Sequence, residues 1–271
     1  HTTLVPLYRE IDRIREEDQI SPPNSWKRGL GAQEIEQPLE HFNWGSHPYL
    51  YAARRTANIV ILGNQTENEK SLLPIIGAYL FAVHGVNIKL INASMELNPQ
   101  LQRVRDGSVQ YSTHSQCAAL QEVTDAASFS LGFTNQDLYP SQCPNVNFLF
   151  GEGEIICGVF SSKRLSGEGL KKTLVRLMKL ASHEFAHMRG LDHCIHYKCA
   201  IQGINNVLEL DRSSLIFCAQ DMAKISLINN CSIRKLYRSQ LAFFENFFKK
   251  FNLKIDFSKE IQLLKNKIHK L

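Results

Sequence analysis

The sequence contains no apolar run long enough to cross a bilayer. Its longest mostly apolar stretch, Leu72 to Val83, is twelve residues long and is interrupted by Pro74 and Gly77, whereas a spanning helix needs about 20. No charged stretch followed by an apolar one opens the chain, so no signal peptide is read there, and the first residue is a His rather than a Met. Internal repeats, a glycine-rich phosphate loop and a Ser/His/Asp order worth naming are all missing. Charge of one sign is scarce over most of the chain. The net +5 resides in the tail, where Cys231 to Leu271 holds ten Lys and Arg against three Asp and Glu. No aromatic signature accompanies that charge, which argues against a nucleic-acid partner. Apolar residues make up 44% of the 271, ordinary for a globular protein with a sizeable core.

What is present is a run of metal-ligand chemistry: His183-Glu184-Phe185-Ala186-His187-Met188-Arg189-Gly190-Leu191-Asp192-His193. Two histidines four apart leave the same face of a helix and can grip one ion. Glu184, beside the first of them, is placed to take a proton from the attacking water. Gly190 can adopt positive φ without steric cost, end the helix and turn the chain back, bringing His193 up as a third nitrogen. Three protein ligands leave a fourth position open, the arrangement of a catalytic zinc. The bland alternative is a polar helix end with three unconnected histidines. With 15 Gly and 10 His in the chain, the extra Gly and His fall at their places by chance only about once in 500.

The residues that follow extend the pattern. Cys194 and Cys199 stand with four residues between them, Cys218 comes later, and Asp221 occupies the place where a C-x-x-C pair would put its second cysteine. With Asp137-Leu138-Tyr139-Pro140, Asn147-Phe148-Leu149-Phe150-Gly151 and the strand-like Ile155 to Ser161 ending near Arg164, this resembles the archaemetzincin family of the metzincin clan, nearest its archaemetzincin-2 type. The resemblance runs from about Asn58 to Arg238. It implies a zinc-dependent metallopeptidase with a catalytic zinc on His183, His187 and His193, and Glu184 as general base and acid. It also implies a second, structural zinc on four thiolates, matched here by Cys194, Cys199 and Cys218, with Asp221 in place of the fourth. A carboxylate can ligate zinc, and His196, inside the Cys194 to Cys199 loop, is another candidate for the missing ligand. Ile201 stands where the family usually has the methionine beneath the catalytic zinc, an apolar exchange of similar volume.

Periodicity and breakers predict a strand from Asn58 to Leu62, a helix from Ser71 to His84 ending at Gly85, a strand from Val86 to Ile91, a helix from Ser115 to Ala127 and a strand from Ser128 to Phe133. That alternation predicts an α/β fold with a mixed, mostly parallel twisted sheet and backing helices. Phe148 to Phe160 should add one or two strands; by resemblance, one is the sheet edge over the active-site cleft, with the active-site helix below. The motif ends a long helix from about Gly169 to Arg189. Residues 1–57 read as an irregular N-terminal extension with a short helix at Tyr8 to Asp18 and anchors at Trp26, Phe42 and Trp44. Residues 58–238 read as the catalytic domain, 58–190 its upper part and 191–238 a cysteine-rich, zinc-stapled lower part; 239–271 reads as two basic amphipathic helices packed on the body, lysines outward.

Clustered thiols point to a reducing compartment, hence a cytoplasmic or nuclear protein, with Cys117, Cys143, Cys157 and Cys231 scattered and disulfides among them the minor alternative. The resemblance implies action on small peptides or N-termini, aminopeptidase action included; the expected protein is a monomer with no nucleic-acid or membrane-spanning role. Arg189 and Asp192 are expected in surface ion pairs, and Tyr139 in the sheet rather than at an oxyanion. The alternative from another class is a zinc-stapled binding protein with vestigial peptidase activity, suggested by Asp221 and Ile201.

Overall fold

A computed structural model describes residues 4–22, 24–28, 34–40, 42, 54–251 and 253–271. Trp44 and the glycines at 29 and 31 lie outside them, as does the side chain of Phe248. The chain divides into two compact units. One comprises Ala53–Leu80 and Val86–Gly190; the other takes the described residues of His1–Ala52 together with Phe81–Gly85 and Leu191–Leu271. No helix among the described residues is long and apolar enough to cross a membrane.

The first unit is built on a five-stranded sheet. Its strands are β1 (Thr56–Leu62), β2 (Asn87–Met95), β5 (Phe129–Thr134), β7 (Gly151–Glu154) and β8 (Cys157–Ser161), in the order β2-β1-β5-β8-β7. Pairing is parallel throughout except between β7 and β8. β5 and β8 are buried at every position and β1 at all but its first, as continuous apolar strands covered on both faces should be. Helix α3 (Glu67–His84) begins four residues before the expected Ser71. The signal was present in the sequence: the Thr66 N–H donates to the Glu69 carboxylate at 3.0 Å and the Glu69 N–H donates to the Thr66 hydroxyl at 3.2 Å, a reciprocal cap on the first turn. Helix α4 (Thr113–Val123) packs on β5 and β8, and α5 (Leu170–Met188) packs on β7 and β8. Val60, Leu62, Leu120, Leu138 and Val159 share one buried cluster with Cys117 and Cys157.

Those two cysteines are disulfide-bonded, with Cα atoms 5.8 Å apart, joining α4 to β8. The expectation that the scattered cysteines stay unpaired is corrected there: the pairing joins residues 40 apart in sequence, and nothing local in the sequence marks it.

A second sheet was not anticipated. β3 (Arg103–Arg105) and β4 (Ser108–Ser112) form a hairpin, and β4 pairs in parallel with β6 (Asp137–Tyr139). Tyr139 belongs to this sheet, as expected. Its hydroxyl donates to the Leu101 carbonyl, and the Arg103 guanidinium lies 4.0 Å above its ring. Asp137 is buried and accepts both Nε and Nη2 of Arg164, at 2.7 and 2.6 Å, together with Nε2 of Gln110 at 2.8 Å.

The second unit holds α1 (Leu4–Ile14), followed by a 3-10 turn at Arg15–Glu17, and the short α2 (Ser25–Arg28). α1 starts four residues before the helix expected at Tyr8. Beyond 190 come α6 (Val207–Arg212), α7 (Ala219–Asn229), α8 (Ile233–Phe251) and α9 (Ser258–Lys270). Phe244, Phe247 and Leu264 are buried, as the amphipathic reading requires, but Lys267 is buried too. Its ammonium pairs with the Asp18 carboxylate, so the outward placement of all the tail lysines is corrected. Arg189, expected at the surface, is likewise buried.

Burial would raise the Asp137 carboxyl, but the hydrogen bonds from Arg164 and Gln110 and the Arg164 charge outweigh it and hold it below the usual carboxylate range. A depressed acid stabilises the fold above its unfolded value, about 3.9, and loses that contribution as pH falls through the folded value. Arg164→Ala should therefore cost about 2 kcal/mol at pH 7, discounted from the 3–5 of a fully buried pair because Arg164 is partly exposed. The loss should shrink toward pH 3, which urea titrations at the two pH values will measure.

Candidate active site and cysteine cluster

Helix α5 carries His183, Glu184 and His187 at its C-terminal end, within a residue of the extent predicted. It stops because Arg189 and Gly190 turn their N–H groups back onto the Ala186 and His187 carbonyls, at 3.0 and 2.8 Å, and Gly190 takes φ +82. This is the left-handed exit expected of that glycine.

The two imidazoles meet. Nε2 of His187 lies 3.1 Å from Nε2 of His183, with ring planes at 75°. Two ring nitrogens that close need something positive between them, a proton or a cation, because two lone pairs repel. Two nitrogens on one tetrahedral zinc, each about 2.05 Å from the ion, would stand about 3.3 Å apart, so the pair suits a metal ion. Glu184, between them in sequence, is buried. Burial foremost, then the charge of Glu152, pushes its carboxyl up to about 8, against an opposing hydrogen bond from the Gly153 N–H.

Strand β7 makes that burial possible. A Cβ at Gly153 would sit 2.1 Å from the Glu184 carbonyl oxygen, and one at Gly151 would sit 2.9 Å from Glu184 Cγ. No side chain fits at either position, so backbone meets backbone where Glu184 is held. β7 ends the strand order, leaving its outer side as a sheet edge. Glu152 accepts a hydrogen bond from the Thr113 hydroxyl, and burial raises its carboxyl.

His193 lies three residues past Gly190, in the second unit. Both oxygens of Glu34 stand 3.1 Å from its Nδ1, and the Trp26 ring meets it edge-on at 4.8 Å. Neither partner was singled out from the sequence as a functional residue. Asp192 is exposed, its N–H donating to the Gln37 side chain at 3.3 Å.

Cys194, Cys199, Cys218 and Asp221 converge, their donor atoms all within 4.8 Å of one another. Cys194 and Cys218 sulfurs are 3.9 Å apart, close to the roughly 3.8 Å between two thiolates on one tetrahedral zinc. Oδ2 of Asp221 lies 3.3 Å from the Cys199 sulfur and 3.1 Å from that of Cys218. Oδ1 instead accepts the buried Lys224 ammonium at 2.8 Å. Burial pushes the Asp221 carboxyl up to about 6, with the Cys194 charge adding to it and Lys224 opposing. Hydrogen bonds from the Cys199 and Cys218 thiols hold the Cys194 thiol far below its usual value, while burial raises the other two thiols. His196 stands apart from this cluster: half-exposed, its Nε2 is 2.9 Å from the Glu36 carboxylate. Ile201 is fully buried, and its carbonyl accepts the Cys194 N–H at 3.0 Å.

Comparison with known proteins bears out the archaemetzincin resemblance over part of the chain. Residues 129–227 match the model of peptidase family M54. The archaemetzincin of Aeropyrum pernix is 34% identical over 99 residues, which cover 36% of this chain and 52% of that protein. The archaemetzincin-2 of Homo sapiens is 29% identical over 142 residues, covering 40% of this chain and 39% of that protein. The chain spans about half the length, or less, of these relatives. The crystal structure of the archaemetzincin from Methanopyrus kandleri aligns with a TM-score of 0.57 at 24% identity, over 65% of this chain and 96% of that one. That likeness shows the fold.

The Asp221–Lys224 pair yields a test that needs no metal. Removing one partner of a buried pair strands the other charge, so Lys224→Met should cost about 3–5 kcal/mol in chelator-treated protein. Lys224→Met with Asp221→Asn should recover part of it, as thermal or urea unfolding will report.

Proposed function

We propose that the chain is a zinc metallopeptidase of the archaemetzincin kind, hydrolysing peptide bonds with Glu184 as general base and acid. His183, His187 and His193 are its catalytic zinc ligands. The observation that carries the reading is the pair of imidazole nitrogens 3.1 Å apart on the same helical turn as a buried carboxylate. Zinc held there supplies a Lewis acid for the scissile carbonyl and brings the pKa of water toward about 7. Glu184 accepts the proton of the attacking water and passes it to the departing amine. The low-dielectric seat formed with Gly151 and Gly153 suits a carboxyl that must both take and give a proton. The outer edge of β7 can add an extended peptide as a further antiparallel strand, and the archaemetzincin resemblance points to small peptides or chain N-termini rather than folded substrates.

The same reading gives Cys194, Cys199, Cys218 and Asp221 a second, structural zinc, supported by the tetrahedral spacing of their donors. It keeps the chain a monomer acting on peptides, in the cytoplasm or nucleus, without a nucleic-acid partner. Residues 58–238 form its catalytic domain.

Glu184→Ala should lower hydrolysis of a peptide panel by at least about 10²-fold while the protein keeps its zinc. A variant with near-normal turnover would remove the mechanism, and a wild-type protein without turnover would leave a zinc-stapled binding protein.

The second site is tested by metal analysis, which should find two zinc ions. In a Lys224→Met background, which leaves no buried ammonium stranded, Asp221→Cys should raise both zinc affinity and thermal stability, because thiolate is the donor a closed zinc site prefers. One zinc ion and no gain from Asp221→Cys would leave Cys194 to Asp221 held by packing alone.

A further inference from the structure

We infer that Glu34 is a positioning residue that fixes the tautomer and orientation of His193, so that Nε2 is the nitrogen offered to a metal ion. This rests on the reading of His193 as a zinc ligand. It adds a residue outside the 129–227 segment that matches the peptidase family.

The chemistry follows from which nitrogen is engaged. A carboxylate only accepts hydrogen bonds, so Nδ1, 3.1 Å from both Glu34 oxygens, must carry the proton. In a neutral imidazole that leaves the lone pair on Nε2. A ligand histidine whose other nitrogen donates to a carboxylate is fixed in orientation and made more basic, and losing such a partner typically weakens metal binding 10–100-fold.

The contact is delivered by a segment with anchors of its own. Beyond Glu34, the Glu36 carboxylate pairs with His196 Nε2 at 2.9 Å and accepts the Gln220 side-chain amide at 2.7 Å. Gln37 Oε1 accepts the Asp192 N–H at 3.3 Å. Residues 34–37 are thus tied on both sides of His193 and to α7. Trp26 adds a wall. It is buried and meets the imidazole edge-on, and it fits only because residue 203 is a glycine, whose added Cβ would fall 2.0 Å from Trp26 Cε2. The imidazole's contact with Trp26 and its Nδ1 edge are therefore both set by residues more than 150 positions earlier in the chain.

The experiment measures zinc affinity by competition with a chromophoric chelator. Cobalt substitution separates the two sites, since only a thiolate-bound ion gives sulfur-to-cobalt charge-transfer absorption. Glu34→Ala should weaken the nitrogen-ligated site 10–100-fold and leave the thiolate band unchanged. Glu34→Gln, which keeps a neutral acceptor, should recover part of the loss. Glu36→Ala, which releases the anchors to His196 and Gln220 but not the carboxylate at Nδ1, should bind zinc as the wild type does. Long-range 1H–15N spectra of the metal-free protein should show His193 protonated at Nδ1, and mixed tautomers in Glu34→Ala.

If Glu34→Ala keeps wild-type affinity and tautomer while His193→Ala loses zinc, this inference fails alone. If His193→Ala itself binds zinc normally, the ligand assignment beneath it fails. Equal losses from Glu34→Ala and Glu36→Ala would assign the effect to docking of the segment, and overturn the role of the carboxylate.

Discussion

The backbone approach of β7 to α5 is the constraint on which the sheet unit's chemistry depends. A Cβ at Gly153 would lie 2.1 Å from the Glu184 carbonyl oxygen, so strand and helix touch with nothing between them. Three consequences follow from that single close contact. The Glu184 carboxyl is shut away from water and raised. The Gly153 N–H is brought within reach of it. And β7, paired on its inner side with β8, is held as the last strand of the sheet among the described residues. A larger residue at Gly153 would push strand from helix and undo all three together. The nearby disulfide between Cys117 and Cys157 ties β8 to α4 on the sheet, which stiffens the strand that β7 hangs from.

The cysteine cluster solves a different electrostatic problem. The Cys194 thiol, held far below its usual value, and the Asp221 carboxyl are buried together in a medium that screens charge weakly. Asp221 divides its two oxygens: Oδ2 faces the sulfurs, and Oδ1 is matched to the Lys224 ammonium. One of the four donors thus arrives with a compensating cation already attached, which a fourth cysteine at that position could not provide in the same way. Cys218 also caps α7, accepting the Asp221 N–H. The residue that would donate to a metal therefore starts the helix that brings Asp221 and Lys224 into place.

What was legible in the sequence was what repeats locally. The motif helix and β1 end at glycines, and they and β5 appear within one or two residues of expectation. The β3–β4 hairpin was missed because strands of three and five residues with exposed, arginine-flanked positions give no alternation to read. α7 was missed because its burial comes from the cysteine cluster and from α1 and α8, not from one apolar stripe. Glu34 and Trp26 left no signal at all: their partners His193 and Gly203 are more than 150 residues away in sequence, and a segment that reads as an irregular covering does not disclose which of its acids has a histidine partner. The expected surface position of Arg189 gave way to burial for the related reason that a charge next to a glycine turn looks solvated until the chain around it is folded.

The tail shows how a compositional signal changes meaning once partners are known. The basic excess after Cys231 invites an external acidic partner, whether membrane surface or protein. Yet Lys267 is buried against Asp18, Lys270 lies near Glu16 and Glu17, and Lys265 pairs with Glu245. Asp18 in turn accepts the Ala219 N–H at 2.8 Å, placing a carboxylate at the first turn of α7, where the unpaired N–H groups and the helix dipole favour it. Burial raises the Asp18 carboxyl and Lys267 opposes that rise, so the lysine of the last helix helps keep charged the acid that caps the helix of the cysteine cluster. Within this unit the two ends of the chain are joined through one carboxylate, and the positive charge of α9 serves the interior before it serves any partner.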